Sequence, residues 1–162
     1  MGPARNNMQN NPLQLFSTPW FWSAFGSWTV AQIVKMTIAF IRTRRWDFHF
    51  FISTGGMPSA HSALVCGLAT SIGLTEGFGA AVTMLAGAFA AITMFDAAVV
   101  RRAAGHQAKI LNQMRDEIFA HRRISEKRLK ELLGHTRLEV FVGLLVGIGC
   151  ATAIVHYWPA RP

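Results

Sequence analysis

Four long apolar runs, parted by polar stretches, constrain this chain more than any other feature. They cover about Trp20 to Ile41, Ser62 to Thr75, Phe78 to Val100 and Val140 to Trp158. A hydrocarbon core roughly 30 Å thick needs about 20 apolar residues in a helix, so the first, third and fourth runs suffice to cross one. The second covers about 21 Å at about 1.5 Å per residue and reads as a short span or a re-entrant piece. Composition agrees, with 51% hydrophobic and 15% charged residues, where soluble domains carry about a quarter charged. The 162 residues therefore predict an all-α fold. It is a polytopic membrane helix bundle of about four apolar segments forming one domain over residues 20–158, behind a polar tail over residues 1–19.

Local signals refine this. Trp20, Phe21 and Trp22 open the first run and Tyr157 and Trp158 close the last, as aromatic belts do at membrane interfaces. Gly143 and Gly147, four residues apart, give the last helix a face that lets another backbone approach closely. Between the third and fourth runs, residues 101–138 are polar and basic. Ile110, Met114, Ile118, Leu129, Leu132 and Leu133 recur there at near-helical spacing, which predicts an amphipathic helical cap lying against the membrane. The tail, with Asn6, Asn7 and Asn10, lacks the apolar core of a cleavable signal peptide. Asn6 also stands where a myristoylation site needs Ser or Thr. Cys66 and Cys150 lie inside apolar runs and read as two buried thiols rather than a disulfide framework.

The charges are not spread evenly. There are 16 Lys+Arg against 8 Asp+Glu, a net +8, a balance that suits nucleic acid, a membrane surface or an anionic substrate. Lys35, Arg42, Arg44 and Arg45 close the first run, and ten more Lys/Arg lie between Arg101 and Arg137. If all four segments cross, both regions fall on one face, which the positive-inside rule makes cytoplasmic, with the plasma membrane as the expected location. His61, Asp96, Arg101 and His135 then reach the same face. The basic residues border membrane spans and no nucleic-acid recognition motif accompanies them.

Within this frame some residues carry chemistry. Lys35 and Arg42 are seven apart and share a helix face. Lys35 sits about 10 Å deep, where an ionisable group is costly and points to function; the plainer reading is a lysine snorkelling to the interface. In Gly55-Gly56-Met57-Pro58-Ser59-Ala60-His61-Ser62 the glycines and proline make a turn. Ser59 or Ser62 then caps a helix whose first N–H groups face an anion, with His61 either at a site or merely interfacial. Asp96 lies five residues before Arg101-Arg102 and either pairs with a basic residue or organises a site. Thr136 and Glu139 fit a capping box. That leaves His135 unexplained, one residue outside the cap; alternatively Glu139 bonds one ring nitrogen of His135, fixing the tautomer and leaving the other nitrogen to attack. His106 and His121, in the basic segment, read as surface histidines.

At these residues the chain resembles the divergent branch of the type 2 phosphatidic acid phosphatase family, kin to bacterial acid phosphatases and vanadium haloperoxidases. The matching stretches are GGMPSAHSALV (55–65), FDAAVVRRAAGHQAKILN (95–112) and LKELLGHTRLEV (129–140). The wider family carries a Lys-x6-Arg-Pro motif, a Pro-Ser-Gly-His motif and a Ser-Arg-x5-His-x3-Asp motif. Lys35 and Arg42 match the first, with Thr43 in place of its proline. Ser59 and His61 match the second, with Ala60 in place of its glycine. His135 matches the histidine of the third, Glu139 replaces its aspartate, and Leu129 stands where its arginine falls.

The resemblance implies a metal-independent phosphatase acting on a phosphomonoester or pyrophosphate, lipid-linked substrates included. His135 inherits the role of nucleophile, His61 that of general acid, and Glu139 that of orienting group. Lys35, Arg42 and Ser59 would hold the phosphate. Arg101 or Arg102, in the branch's Asp-x4-Arg-Arg stretch that begins at Asp96, would stand in for the arginine missing at Leu129. No cofactor or metal is implied, and vanadate would act as a phosphate mimic. The alternative is a catalytically inactive membrane protein that binds anionic lipid headgroups or serves as a scaffold.

Overall fold

The structure, a computed structural model, describes residues 12–44, 56–119 and 136–159, and all regular elements among them are helical. A 3-10 turn, Pro12–Ser17, leads into α1 (Pro19–Thr43); then come α2 (Ala60–Glu76), α3 (Ala81–Phe95), a π-helical turn (Asp96–Val100), α4 (Arg101–Phe119) and α5 (Arg137–Tyr157). The expected all-α membrane bundle is what the chain forms. Three helical stretches are long and apolar enough to cross a membrane: Pro19–Ile41, Ala81–Arg115 and Arg137–Tyr157.

The polar breaks in the sequence set where helices start and stop. Pro19 opens α1, at a position where its missing N–H costs nothing. Arg44, at φ 55°, ends α1 by donating its N–H to the Phe40 carbonyl at 2.8 Å. Gly77, at φ 92°, closes α2 with its N–H on the Gly73 carbonyl at 3.1 Å. The Thr83 hydroxyl then bonds back to the Gly77 carbonyl at 2.8 Å. This compact turn consumes Phe78 to Ala80, so the third apolar run becomes helical only at Ala81. At its other end the run does not stop at Val100 but passes through the π turn into α4. The first part of the expected cap is therefore a direct extension of α3, while residues 120–135 lie outside the described residues.

Helix α2 is the centre of the bundle and packs against α1, α3 and α5. Its 17 residues extend about 25 Å. At its C-terminal end Trp20 Nε1 of α1 donates to Thr75 Oγ1 at 2.7 Å, and at its N-terminal end the Ser59 amide donates to the Glu139 carbonyl of α5 at 3.0 Å. The second apolar run thus extends through the bundle from one end to the other. These contacts make α1 antiparallel to α2 and α5 parallel to it.

Small residues permit this arrangement. A Cβ on Gly67 would collide with Ser27 Oγ and lie 2.9 Å from the Ser23 carbonyl. A Cβ on Gly143 would collide with the Ser59 carbonyl, and one on Gly147 would lie 2.5 Å from the Ala63 carbonyl and 2.9 Å from the Gly67 nitrogen. Helices in lipid associate through such close backbone approach rather than through hydrophobic burial. The bundle interior is accordingly Ser23, Ser27, Ala31, Ala63, Ser71 and Ala151, all fully buried. Large apolar side chains point outward: Leu85 is 72% and Ile92 68% exposed, as suits contact with lipid. Cys66 and Cys150 are free thiols, the first buried and the second half-buried. Cys66 faces Met94 of α3, Sγ to Sδ 3.6 Å.

Because α5 runs antiparallel to α1, Trp20 to Trp22 and Tyr157 to Trp158 share one end of the bundle. The expected aromatic belt stands there, with Phe21 and Trp22 edge to face at 5.3 Å. The opposite end receives the C-terminus of α1, the N-termini of α2 and α5, and the π turn, which packs against α5. That is the basic end.

Candidate functional site at the basic end of the bundle

The N-terminus of α2 is built by its own sequence. Ser59 is the N-cap, in extended conformation, and its Oγ accepts from the Ser62 amide at 3.4 Å and from the Ser62 hydroxyl at 3.1 Å. Pro58, Ser59 and Ser62 are fully buried. Of the two serines weighed as caps, Ser59 is the one that caps. Its hydroxyl lies inside the protein, directed at the helix it starts. His61, two residues on, is exposed in the first turn of α2.

The N-terminus of α5 carries the capping box. Glu139 Oε2 accepts from the Thr136 amide at 2.9 Å, and Thr136 Oγ1 accepts from the Glu139 amide at 3.3 Å. Two otherwise orphaned N–H groups are satisfied reciprocally. The carboxylate also lies at the positive end of the α5 dipole. Of the two roles read for Glu139, the cap is the one the structure displays. His135, one residue before Thr136, lies outside the described residues, and so does Leu129.

Between these two helix starts stands Lys35 of α1, only 5% exposed. Its charge interacts favourably with that of Glu139. The loop before α2 closes over its stem: a Cβ on Gly56 would lie 3.4 Å from Lys35 Cγ and 3.5 Å from Cδ. Gly56 has φ 98°, a conformation open to glycine and strained for other residues. Sequence reasoning saw the glycine pair as a turn and missed Gly56 as a wall of the lysine's site, because that role depends on the path of the loop.

The remaining predicted residues are placed less fully. Asp96 is half-buried at the first position of the π turn. Since α3 is antiparallel to α2, Asp96 also reaches the basic end. Arg42 lies in the last turns of α1, and Arg101 and Arg102 open α4; their side chains are outside what is described. The structure thus brings Lys35, Ser59, His61, Asp96 and Glu139 to one end, with two parallel helix N-termini side by side. The helix dipoles and the buried ammonium make this end electropositive, and the Glu139 carboxylate offsets part of that charge. Among the described residues no cluster of His, Cys, Asp or Glu is arranged to hold a metal ion.

Comparison with known proteins bears on this arrangement. The model of the family described as "Divergent PAP2 family" matches residues 16–150, a stretch that runs from the 3-10 turn through most of α5. The uncharacterized membrane protein YuiD of Bacillus subtilis (strain 168) is 40% identical over 139 residues, covering 79% of this chain and 88% of its own. No solved structure matches.

Proposed function

The chain belongs to the divergent PAP2 family of membrane proteins, and on that premise we propose that it is a phosphatase that works through a phosphohistidine and without a metal. Its substrate is a phosphomonoester or pyrophosphate, lipid-linked forms included. One observation carries this reading: the parallel N-termini of α2 and α5, joined by the Ser59 to Glu139 hydrogen bond, flank the buried Lys35. That arrangement supports binding of an anion, and in sequence the two histidines of the family motifs stand within two residues of the caps Ser59 and Thr136.

In the proposed reaction Lys35, Arg42 and Arg101 or Arg102 neutralise the phosphoryl oxygens, where charge develops in the transition state. A ring nitrogen of His135 attacks phosphorus; the N–P bond forms as the bond to the leaving oxygen breaks, and His61 gives that oxygen its proton. Water then attacks the phosphohistidine while His61 takes up a proton from it, and inorganic phosphate leaves as the N–P bond breaks. Ser59, directed inward as the cap, supports the position of His61 two residues on. The basic end faces the cytoplasm in this reading, by the positive-inside rule, and the membrane is the plasma membrane.

The test is phosphate release from a panel of lipid and soluble phosphates by wild type, His135→Ala and His61→Ala, with EDTA and with vanadate. Release that resists EDTA, is inhibited by vanadate and is lost in His135→Ala is expected. Loss of the general acid in His61→Ala lowers the rate by about 10²–10⁴-fold. Release unchanged in both variants would sink the mechanism.

A second reading has one observation in its favour. One oxygen of the Glu139 carboxylate, Oε2, is engaged in the capping box, a role that needs no catalysis. The same site would then bind anionic lipid headgroups without turnover, and binding of anionic vesicles with no covalent labelling of His135 would mark it.

A further inference from the structure

The amphipathic helix α4, expected to lie against the membrane, joins the bundle through the π turn. Its buried positions include Gly105 and Asn112, the latter 4% exposed. Its large apolar side chains face out: Ile110 is 42%, Leu111 53% and Met114 52% exposed. Asn112 and Met114 are two residues apart, about 200° around the helix, so the apolar residues lie away from the narrow covered strip, while His106, Gln107, Lys109 and Gln113 are exposed as well.

That outward stripe continues a face already committed to lipid. Leu85, Phe89, Ile92 and Phe95 on α3 are exposed, and so are Val99 and Val100 of the π turn. From there Ile92, Phe95, Val99, Ala103, Ile110 and Met114 recur three, four or seven residues apart, broken only by the exposed Gln107. The π turn keeps the stripe on one side while α3 gives way to α4. Polar and basic groups flank it. At about 100° per residue, Arg115 stands about 100° to one side of Met114 and His106 about 80° to the other. Apolar side chains with basic flanks, contiguous with a membrane-facing surface, match the headgroup boundary of an anionic bilayer.

We propose that α4 is a lipid-docking element, inserting Ile110, Leu111 and Met114 into the acyl side of an anionic membrane interface while its basic flank meets the headgroups. The phosphatase reading does not require this, and the surface is distinct from the groups around Lys35. Its consequence is a lipid-dependent anchor immediately beside the site, through the π turn that packs on α5.

The test uses the full chain in nanodiscs, with Cys66 and Cys150 replaced by alanine and single cysteines at Ile110, Met114 or Lys109 carrying an environment-sensitive fluorophore. Lipids brominated on their acyl chains should quench the label at positions 110 and 114 and shift its emission to the blue. Lys109, on the far side, should instead be quenched by aqueous iodide. Discs containing phosphatidylglycerol should strengthen the acyl quenching over phosphatidylcholine alone, and added salt should reverse that gain. Equal iodide quenching at all three positions would overturn the proposal. So would label-to-label quenching at 114 that grows with the number of chains per disc, since the occupant would then be a second copy. A circular dichroism spectrum matching wild type for each variant ensures that the signal reports the native bundle.

Discussion

The amide of Ser59 donates to the carbonyl of Glu139 across 3.0 Å, fastening the start of α2 to the first turn of α5. The bond joins residues far apart in sequence, and it fixes the site's geometry. With it in place two helix N-termini lie parallel, and Lys35 of α1 stands beside them. One turn further along, the Ser59 carbonyl occupies the space that any side chain at Gly143 would need.

Close approach at that seam predicts a graded response to adding a methyl group. Gly143→Ala and Gly147→Ala place a Cβ against backbone atoms of α2, which cannot swing aside as a side chain can. Each should lower stability by about 1–3 kcal/mol. Gly149, two residues on, has open space where a Cβ would go, so Gly149→Ala should leave stability unchanged or raise it by up to about 1 kcal/mol. Thermal unfolding in detergent, followed by circular dichroism, separates these outcomes; equal losses at all three positions would contradict the seam.

The same seam shows what was legible in the sequence. Helices α1 and α5 follow from the length of their apolar runs, and the aromatic belt from where Trp20 and Trp158 stand in the chain. Helix α2 was ambiguous because its apolar run covers only about 21 Å, yet its small residues Ser62, Gly67 and Ser71 make it the central helix. The basic end was visible in the clustering of Lys and Arg, and the caps in Ser59 and in Thr136 with Glu139. The apolar face of α4 was visible in the helical spacing of Ile110 and Met114. The π turn at Asp96 has no composition of its own and could not be read from periodicity.

Lys35 separates charge from packing. Its stem runs past Gly56 with about a methyl group's room between them, so Lys35→Met keeps the apolar surroundings and removes only the ammonium. The fold should survive with its thermal midpoint close to wild type. Phosphate release should fall by about 10²–10³-fold, the usual cost of deleting one group that stabilises transition-state charge. Lys35→Arg should restore little, because the planar guanidinium needs a different geometry. Full activity in Lys35→Met would remove this residue from the proposed site.

The cap of α2 gives a prediction in which stability and binding part company. Ser59→Ala deletes the oxygen that accepts from Ser62 and should cost about 1 kcal/mol, whereas Ser59→Gly should cost only a few tenths. If the serine acts through the cap, vanadate inhibition of phosphate release follows the same order and is almost intact in Ser59→Gly. Equal loss of vanadate affinity in both variants would mean that the hydroxyl meets the anion directly.

Glu139 is where cap and chemistry can be told apart. A glutamine at this position still offers an oxygen to the Thr136 amide, as the capping box allows, but carries no charge. Glu139→Gln should therefore keep the cap bond and lose only the carboxylate's attraction to the helix dipole and to Lys35, about 0.3–1 kcal/mol. Thr136→Ala, which breaks the reciprocal bond, should cost about 1 kcal/mol. Activity should move the other way: Lys35 loses its neighbouring carboxylate and any histidine beside the cap loses its counter-charge, so Glu139→Gln should release phosphate more slowly than Thr136→Ala. Unfolding curves and initial rates on the same two proteins decide the matter. If both rates instead track stability alone, Glu139 is a helix cap and nothing more, and the orienting group must come from another residue at the basic end.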